Sequence, residues 1–104
     1  MKSTIEKIID FSHERDWDLF HSEENLAKSI CIEAGELLEC FQWNSDYNKQ
    51  DVCDELADIM NYCILLANKL NVNMDTILLE KLDKNDLKYP VDKAKGNSKK
   101  YTKL

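Results

Sequence analysis

The chain has 104 residues and a formal net charge of -6 at pH 7, with 43% hydrophobic and 33% charged residues. This composition argues against a disordered chain, and two glycines with one proline are too few for the turns of a β-sandwich or barrel. No apolar run approaches the roughly 20 residues that a membrane-spanning helix needs. We therefore expect an all-α protein that does not enter a membrane.

The charge is distributed unevenly along the chain. Residues 1–87 contain 8 basic and 19 acidic side chains, whereas residues 88–104 contain 6 basic and 1 acidic side chain. An acidic body repels phosphate, so we expect no nucleic-acid partner. The same body can hold a polyphosphate if divalent cations lie between the two anions.

The cysteine pattern indicates the compartment. Cys31, Cys40, Cys53 and Cys63 match no zinc-binding spacing, and no apolar secretory leader precedes them. We expect reduced, mostly buried thiols in a cytoplasmic protein.

Hydrophobic periodicity predicts four helices, of which the first two carry clear start signals. Ser3 opens a capping box, and the first helix runs to about Arg15. Residues 17–21 form a connector rich in aromatic and charged groups. Ser22 caps the second helix, which we expect to end near Trp43.

The third and fourth helices follow a polar, turn-like stretch over residues 44–49. The apolar pattern predicts a third helix over residues 50–70. Asn73 caps the fourth helix, which stops before Tyr89 because Pro90 disfavours helical geometry in its predecessor.

Four antiparallel helices with short loops predict a four-helix bundle. We assign residues 1–90 to this domain and residues 91–104 to a basic C-terminal tail that is irregular or packed on a partner subunit. The third helix is apolar over more than one face where residues 64–67 are consecutive apolar residues. This surplus predicts association into dimers or tetramers.

Two pairs of carboxylates indicate a functional site. Glu33 and Glu36 lie three residues apart on the second helix, and Glu55 and Asp58 lie three residues apart on the third, so each pair shares a helix face. A single pair of this kind is usually a solvated acidic surface. Both pairs border the apolar stripes, however, so antiparallel packing of these helices would bring the four carboxylates together.

Four converging carboxylates require compensation of their charge. Without it some would stay protonated, whereas hard divalent cations would neutralise them. Oxygen ligands with no supporting His or Cys favour Mg²⁺ or Mn²⁺ over zinc. Gly35, between two of the acids, is either simply tolerated or leaves room for the close approach of a helix or a substrate.

The chain carries a likeness to one family from about residue 11 to residue 101, including Arg15-Asp16-Trp17 and Phe20-His21, and further short segments occur in the order that this family shares. They are Glu33-Ala34-Gly35-Glu36-Leu37, Phe41-Gln42-Trp43, Asp54-Glu55-Leu56-Ala57-Asp58, Lys81-Leu82-Asp83-Lys84-Asn85 and Lys88-Tyr89-Pro90. Together they resemble the MazG-like all-α nucleoside triphosphate pyrophosphohydrolases, and within these the dCTP pyrophosphatase branch. Asp54, where many relatives have Glu, and Ile32, where some have an acid, depart from the pattern outside the four acidic positions.

The resemblance implies a magnesium site formed by Glu33, Glu36, Glu55 and Asp58, with Mn²⁺ as a possible substitute. It also implies that an attacking water cleaves a (deoxy)nucleoside triphosphate between its α and β phosphates, with dCTP or a modified pyrimidine nucleotide as the expected substrate. Glu36 and Glu33 are the candidate catalytic residues. Glu39 is a further candidate for orienting that water, although it is more often a neighbouring surface acid.

Substrate contacts also follow from the resemblance rather than from composition. Trp17, His21 and Trp43 are candidates for contacting the base, Asn61 and Tyr62 for contacting the sugar or base, and Lys81, Asn85 and Lys88 for contacting the phosphates. Without the resemblance, the tryptophans are interpreted as core residues and the lysines as solvated surface.

Two alternatives remain open at this point. The first is a non-enzymatic helical adaptor whose acidic face binds a basic partner or holds cations. The second is a dUTPase-like or diphosphate-hydrolysing activity on the same scaffold. For the favoured enzyme, the expected partners are the nucleotide and further copies of the chain, in a homodimer or homotetramer.

Overall fold

The structure is a computed structural model that describes residues 1–43 and 45–104, so Asn44 of the predicted turn lies outside the described residues. The described residues form five α-helices and no strand, which confirms the all-α class. Two single-turn 3₁₀ helices lie at Trp17–Leu19 and Tyr101–Lys103. The α-helices are α1 (Thr4–His13), α2 (Glu23–Glu39), α3 (Lys49–Lys69), α4 (Met74–Lys88) and α5 (Val91–Ala94).

Side-chain caps begin each of the four long helices. The Ser3 and Ser22 hydroxyls each accept a hydrogen bond from the backbone N–H three residues later, at 3.1 Å. The Asn73 side chain accepts the corresponding bond at the start of α4, at 3.0 Å. These three predicted caps are confirmed, and Asn48, which was not predicted, caps α3 in the same way.

The predicted end of α2 near Trp43 is wrong, because the helix stops at Glu39. Over residues 40–42 each backbone N–H donates to the carbonyl three residues earlier, which tightens the last turn and ends the α-helical pattern. The ring of Phe41 packs against Tyr47, with centroids 5.0 Å apart, within the segment that leads to α3.

The first helix ends at His13, two residues before the predicted Arg15. Asp16 has a φ of 55°, in the left-handed region, and turns the chain into the 3₁₀ helix at Trp17–Leu19. Arg15 closes the end of α1: its Nη1 donates to the Phe11 carbonyl at 2.9 Å, and its guanidinium carbon lies 3.5 Å from the Phe11 ring centroid.

The chain divides into two compact units, Met1–Val72 and Asn73–Leu104. In the first unit, α3 packs against both α1 and α2, and the buried residues include Leu26, Ala67 and Ser12. In the second unit, the rings of Tyr89 and Tyr101 meet edge to face, with centroids 6.1 Å apart. The segment predicted as an irregular tail contains α5 and the second 3₁₀ helix, and the proposed boundary at residue 90 stays a prediction.

Helices α2 and α3 run antiparallel. Burial, followed by the charges of Glu55 and Asp51 near the start of α3, raises the pKa of the Cys40 thiol at the end of α2. At the other end, Leu26 of α2 and Leu65 of α3 line one cavity. The antiparallel packing needed to bring the two acidic pairs together is therefore present.

All four cysteines are free, as expected, but the expectation that they are mostly buried is wrong. Cys31 and Cys53 are exposed, because no other part of the first unit covers them, and Cys40 and Cys63 are half-buried. Within residues 1–43 and 45–104, no helix combines the length and the apolar character that crossing a bilayer would demand.

Candidate active site

Three of the four predicted acidic ligands converge between α2 and α3. Glu33 of α2 and both Glu55 and Asp58 of α3 each place a carboxylate oxygen within 4.8 Å of the other two. The three-residue spacing puts Glu55 and Asp58 on one face of α3, and the antiparallel neighbour presents Glu33 to that face. The site is half-buried at Glu33 and Glu55 and exposed at Asp58.

The fourth predicted ligand, Glu36, lies next to this group of three. Burial, followed by the interaction with the Glu36 carboxyl, raises the pKa of Glu33 from 4.5 to about 7. The same two causes, in the same order, raise the pKa of Glu55. Glu36 itself is exposed on α2, one turn after Glu33. The four acids therefore act on one another electrostatically, as their spacing predicted.

Two of these oxygens are buried without a partner. Within the described chain, Oε2 of Glu33 and Oε2 of Glu55 are buried and accept no hydrogen bond. A buried carboxylate oxygen without a partner is costly, and native proteins rarely leave one. A hard divalent cation would satisfy both oxygens at once and neutralise the group of three. The residues present therefore fit a divalent metal.

A cavity of about 500 Å³ adjoins the acidic group at Asp58. Trp17, Asn61 and Tyr62, three of the predicted substrate contacts, lie together in its wall. The full lining consists of Thr4, Lys7, Ile8, Phe11, Ser12, Trp17, Asp58, Asn61, Tyr62 and Leu65. A mostly apolar hollow that adjoins a candidate metal site is suited to a ligand with a flat apolar part and an anionic part.

His21 lies between two of the aromatic side chains of this cavity. Its ring centroid is 6.4 Å from that of Trp17 and 6.3 Å from that of Tyr62, in edge-on arrangements. Its Nδ1 lies 3.3 Å from the Ser12 hydroxyl oxygen. His21 itself lines a second cavity of about 400 Å³ on the same unit. His21 therefore contacts Trp17 and Tyr62, which line the first cavity, but is not itself part of that lining.

Sequence reasoning missed the contribution of α1 to this cavity. Ile8, Phe11 and Ser12 are all part of the lining. The periodicity of α1 did place Ile8 and Ser12 on one face, but that pattern is the same whether a helix faces a core or a cavity. The sequence feature that could have indicated a cavity at α1 was Phe11, an aromatic residue next to that face.

The remaining predicted contacts lie elsewhere. Trp43 is 86% exposed and is not part of the cavity lining. Lys81, Asn85 and Lys88 share one side of α4 in the second unit, where the Lys88 ammonium lies 4.9 Å from the Tyr101 ring centroid. The roles assigned to these four residues stay predictions.

The proteins to which the chain is similar include pyrophosphatases. The dCTP pyrophosphatase 1 proteins of Rattus norvegicus and Homo sapiens are each 35% identical to the chain over 105 aligned positions, which cover 91% of it. The chain spans 62% of the length of these relatives. A pyrophosphatase of known structure from Archaeoglobus fulgidus DSM 4304 aligns with a TM-score of 0.76 and 34% identity, over 83% of this chain and 88% of that one.

The family assignment rests on a longer match than the acidic motifs alone. The sequence model of the MazG-like family matches residues 28–104, which include both acidic pairs, α4 and the basic tail. The resemblance predicted from the short segments is thereby confirmed: the chain belongs to the MazG-like family.

Proposed function

We propose that the protein is a divalent-metal-dependent nucleoside triphosphate pyrophosphohydrolase, which releases a nucleoside monophosphate and pyrophosphate. The observation that carries this proposal is the convergence of Glu33, Glu55 and Asp58 beside a cavity, with two buried oxygens that have no partner. The pyrophosphatase relatives support the same reaction.

Mg²⁺, with Mn²⁺ as a substitute, is the cation that we propose for the acidic group. Glu33, Glu55 and Asp58 would hold it together with the adjacent Glu36, because all their donors are oxygens. When bound, the cation supplies charge neutralisation of the polyphosphate and activation of the attacking water. Glu36 is our first candidate to accept the proton of that water, and Glu33 is the second.

The cavity is the proposed site of the base. Trp17 and Tyr62 offer aromatic surfaces and Asn61 a polar edge, while Asp58 marks the end of the cavity nearest the phosphates. This arrangement suits a pyrimidine such as that of dCTP, the substrate named for the mammalian relatives. Trp43 is a further proposed contact to the base, and Lys81, Asn85 and Lys88 are proposed contacts to the phosphates.

We also propose that copies of the chain associate as a dimer or tetramer. Few large apolar side chains of the described residues are fully buried, whereas Ile32, Leu38 and Leu56 of α2 and α3 are exposed. A single folded chain that leaves this much apolar surface in water is stabilised by a partner.

The proposed role is nucleotide-pool sanitation, and the proposed compartment is the cytoplasm.

A substrate panel tests the reaction. The purified protein is incubated with each (deoxy)nucleoside triphosphate and, separately, with each diphosphate, with and without Mg²⁺, and the loss of nucleotide and the release of pyrophosphate and monophosphate are measured. We expect Mg²⁺-dependent release of pyrophosphate, with dCTP among the best substrates. Consumption of diphosphates would instead indicate the dUTPase-like alternative, and no release from any nucleotide would favour the adaptor.

A further inference from the structure

Ser12 is a buried polar side chain in the wall of the cavity. It is 2% exposed, and it is the only polar or charged residue among those described that is buried. It lies in the second half of α1 and lines the cavity together with Trp17 and Tyr62. A hydroxyl buried in this way needs hydrogen-bond partners, because an unpaired one destabilises the folded protein.

The structure supplies one of these partners. Ser12 Oγ lies 3.3 Å from Nδ1 of His21, whose ring is flanked edge-on by Trp17 and Tyr62. A serine hydroxyl has one donor and two acceptor positions, so this contact leaves some of its capacity unused. The contact also fixes the direction of the hydroxyl, because the His21 ring is itself held between two aromatic rings.

Because the surroundings of Ser12 are apolar, its fixed hydroxyl can discriminate between bases. Ile8, Phe11 and Leu65 contribute apolar groups to the cavity beside Ser12. Apolar walls discriminate weakly between bases of the same shape, whereas a buried group that must be hydrogen-bonded rejects a ligand that leaves it unpaired. Ser12 is therefore well placed to distinguish bases that differ in one polar group.

We propose that Ser12 is a specificity-determining residue whose hydroxyl hydrogen-bonds the polar edge of the nucleobase, with His21 as the positioning residue that holds it. In the His21 tautomer that carries its proton on Nε2, the Ser12 hydroxyl donates to Nδ1, and its oxygen accepts from the exocyclic amino group of a pyrimidine that bears one. A carbonyl at that place on the base would face an acceptor and be disfavoured. This inference rests on the proposed function.

The test compares dCTP with dUTP, which differ at this exocyclic group. In Ser12→Ala we expect the ratio of kcat/KM for dCTP over dUTP to fall about 3- to 10-fold, mainly through KM for dCTP, as expected for the loss of one neutral hydrogen bond. Ser29→Ala is the matched control, because Ser29 is half-buried on α2 but outside the cavity lining. It should leave the ratio unchanged.

Three further variants separate positioning from general damage. His21→Phe keeps a flat ring without Nδ1 and should lower the ratio, and the double variant should lower it no further than Ser12→Ala alone. Ser12→Thr retains the hydroxyl and should retain the discrimination. If Ser12→Ala does not fold, His21→Phe provides the measurement.

The proposed function and this inference fail differently. A wild-type protein that hydrolyses no nucleotide of the panel overturns both. A wild-type protein that hydrolyses other nucleotides but neither dCTP nor dUTP overturns only this inference. A wild-type protein that hydrolyses them, combined with an unchanged ratio in Ser12→Ala, overturns only the role of Ser12. Equal loss of activity on both nucleotides would likewise assign Ser12 to structure alone.

Discussion

Asp58 connects the acidic group with the cavity, because it belongs to one and lines the other. We expect Asp58→Asn to lower kcat by about a hundredfold or more, the effect of losing one electrostatic contact to a transition state. The side chain is exposed, and Asp and Asn have similar helix propensities, so the circular dichroism spectrum should not change. Initial rates of pyrophosphate release provide the measurement.

Glu36→Gln should behave in the same way as Asp58→Asn, since Glu36 is both a proposed ligand and the proposed base. Glu23→Gln, which removes an exposed carboxylate from the first turn of the same helix, is the control and should stay active. Full activity in the Asp58 and Glu36 variants would refute the assignment of the metal site.

The raised pKa of Glu33 predicts a pH dependence of stability in the metal-free protein. Its pKa is about 7 in the folded chain against an ordinary value of 4.5, so the folded state binds more protons between these values. The stabilising contribution is complete below pH 4.5 and is lost as the pH rises through about 7. In a chelator, the Tm should therefore fall between pH 5 and pH 8 more in the wild type than in Glu33→Gln.

Adding Mg²⁺ at pH 8 should reverse that loss, because the ionised carboxylates are then the form that binds the cation. The Glu33→Gln variant should gain less from Mg²⁺ than the wild type. An equal rise in Tm in both proteins would contradict the placement of Glu33 in the site.

The shared helix face of the acids could be predicted from the sequence, whereas the contact between Ser12 and His21 could not. A three-residue spacing fixes two side chains on one helix face, and this rule held for the pair Glu55 and Asp58. The contact between Ser12 and His21 depends on the turn at Asp16, whose left-handed conformation has no periodic signal. A residue that interacts across such a turn is visible only in the folded chain.

At the scale of the helices, capping provides a direct test of local stability. Ser22 accepts a hydrogen bond from the Asn25 backbone N–H at the start of α2, the helix that carries Glu33. Ser22→Ala should lower the free energy of unfolding by about 1 kcal/mol, because an N–H of the first turn loses its partner. Urea unfolding provides the measurement, with Ser22→Asp as a capping control that should be close to wild type. Equal stability of the two variants would contradict this role for Ser22.

Helix starts were predicted more accurately than helix ends, for a physical reason. A cap is a bond between residues three positions apart, so Ser3, Ser22 and Asn73 are recognisable from sequence alone. The end of α2 lies beside the packing of Phe41 on Tyr47 and the i→i+3 bonds over residues 40–42. Such packing depends on the segment beyond the helix, which periodicity does not describe.

At the scale of the whole molecule, α2 carries an apolar face that the other described parts of the first unit leave open. We call the exposed residues Cys31, Gly35 and Leu38 the open face of α2, since their spacing puts them on one side of the helix. A Cβ placed on Gly35 would have no atom of another part of the described structure within 4 Å. A glycine in the middle of an exposed helix costs about 1 kcal/mol relative to alanine, so its presence is consistent with close approach of a second helix.

The association proposed for the chain can be tested on this face. Leu38 is 71% exposed in the single chain, and Leu38→Asp would bring a charge into any interface formed there. We expect sedimentation velocity to show an oligomer for the wild type and a monomer for this variant, with a lower Tm because the apolar surface loses its partner. Leu19→Asp, the same change at an 80% exposed leucine on another element, is the matched control and should remain associated. A wild-type protein that sediments as a monomer would contradict association itself, whereas an oligomeric Leu38→Asp variant would place the interface away from the open face of α2.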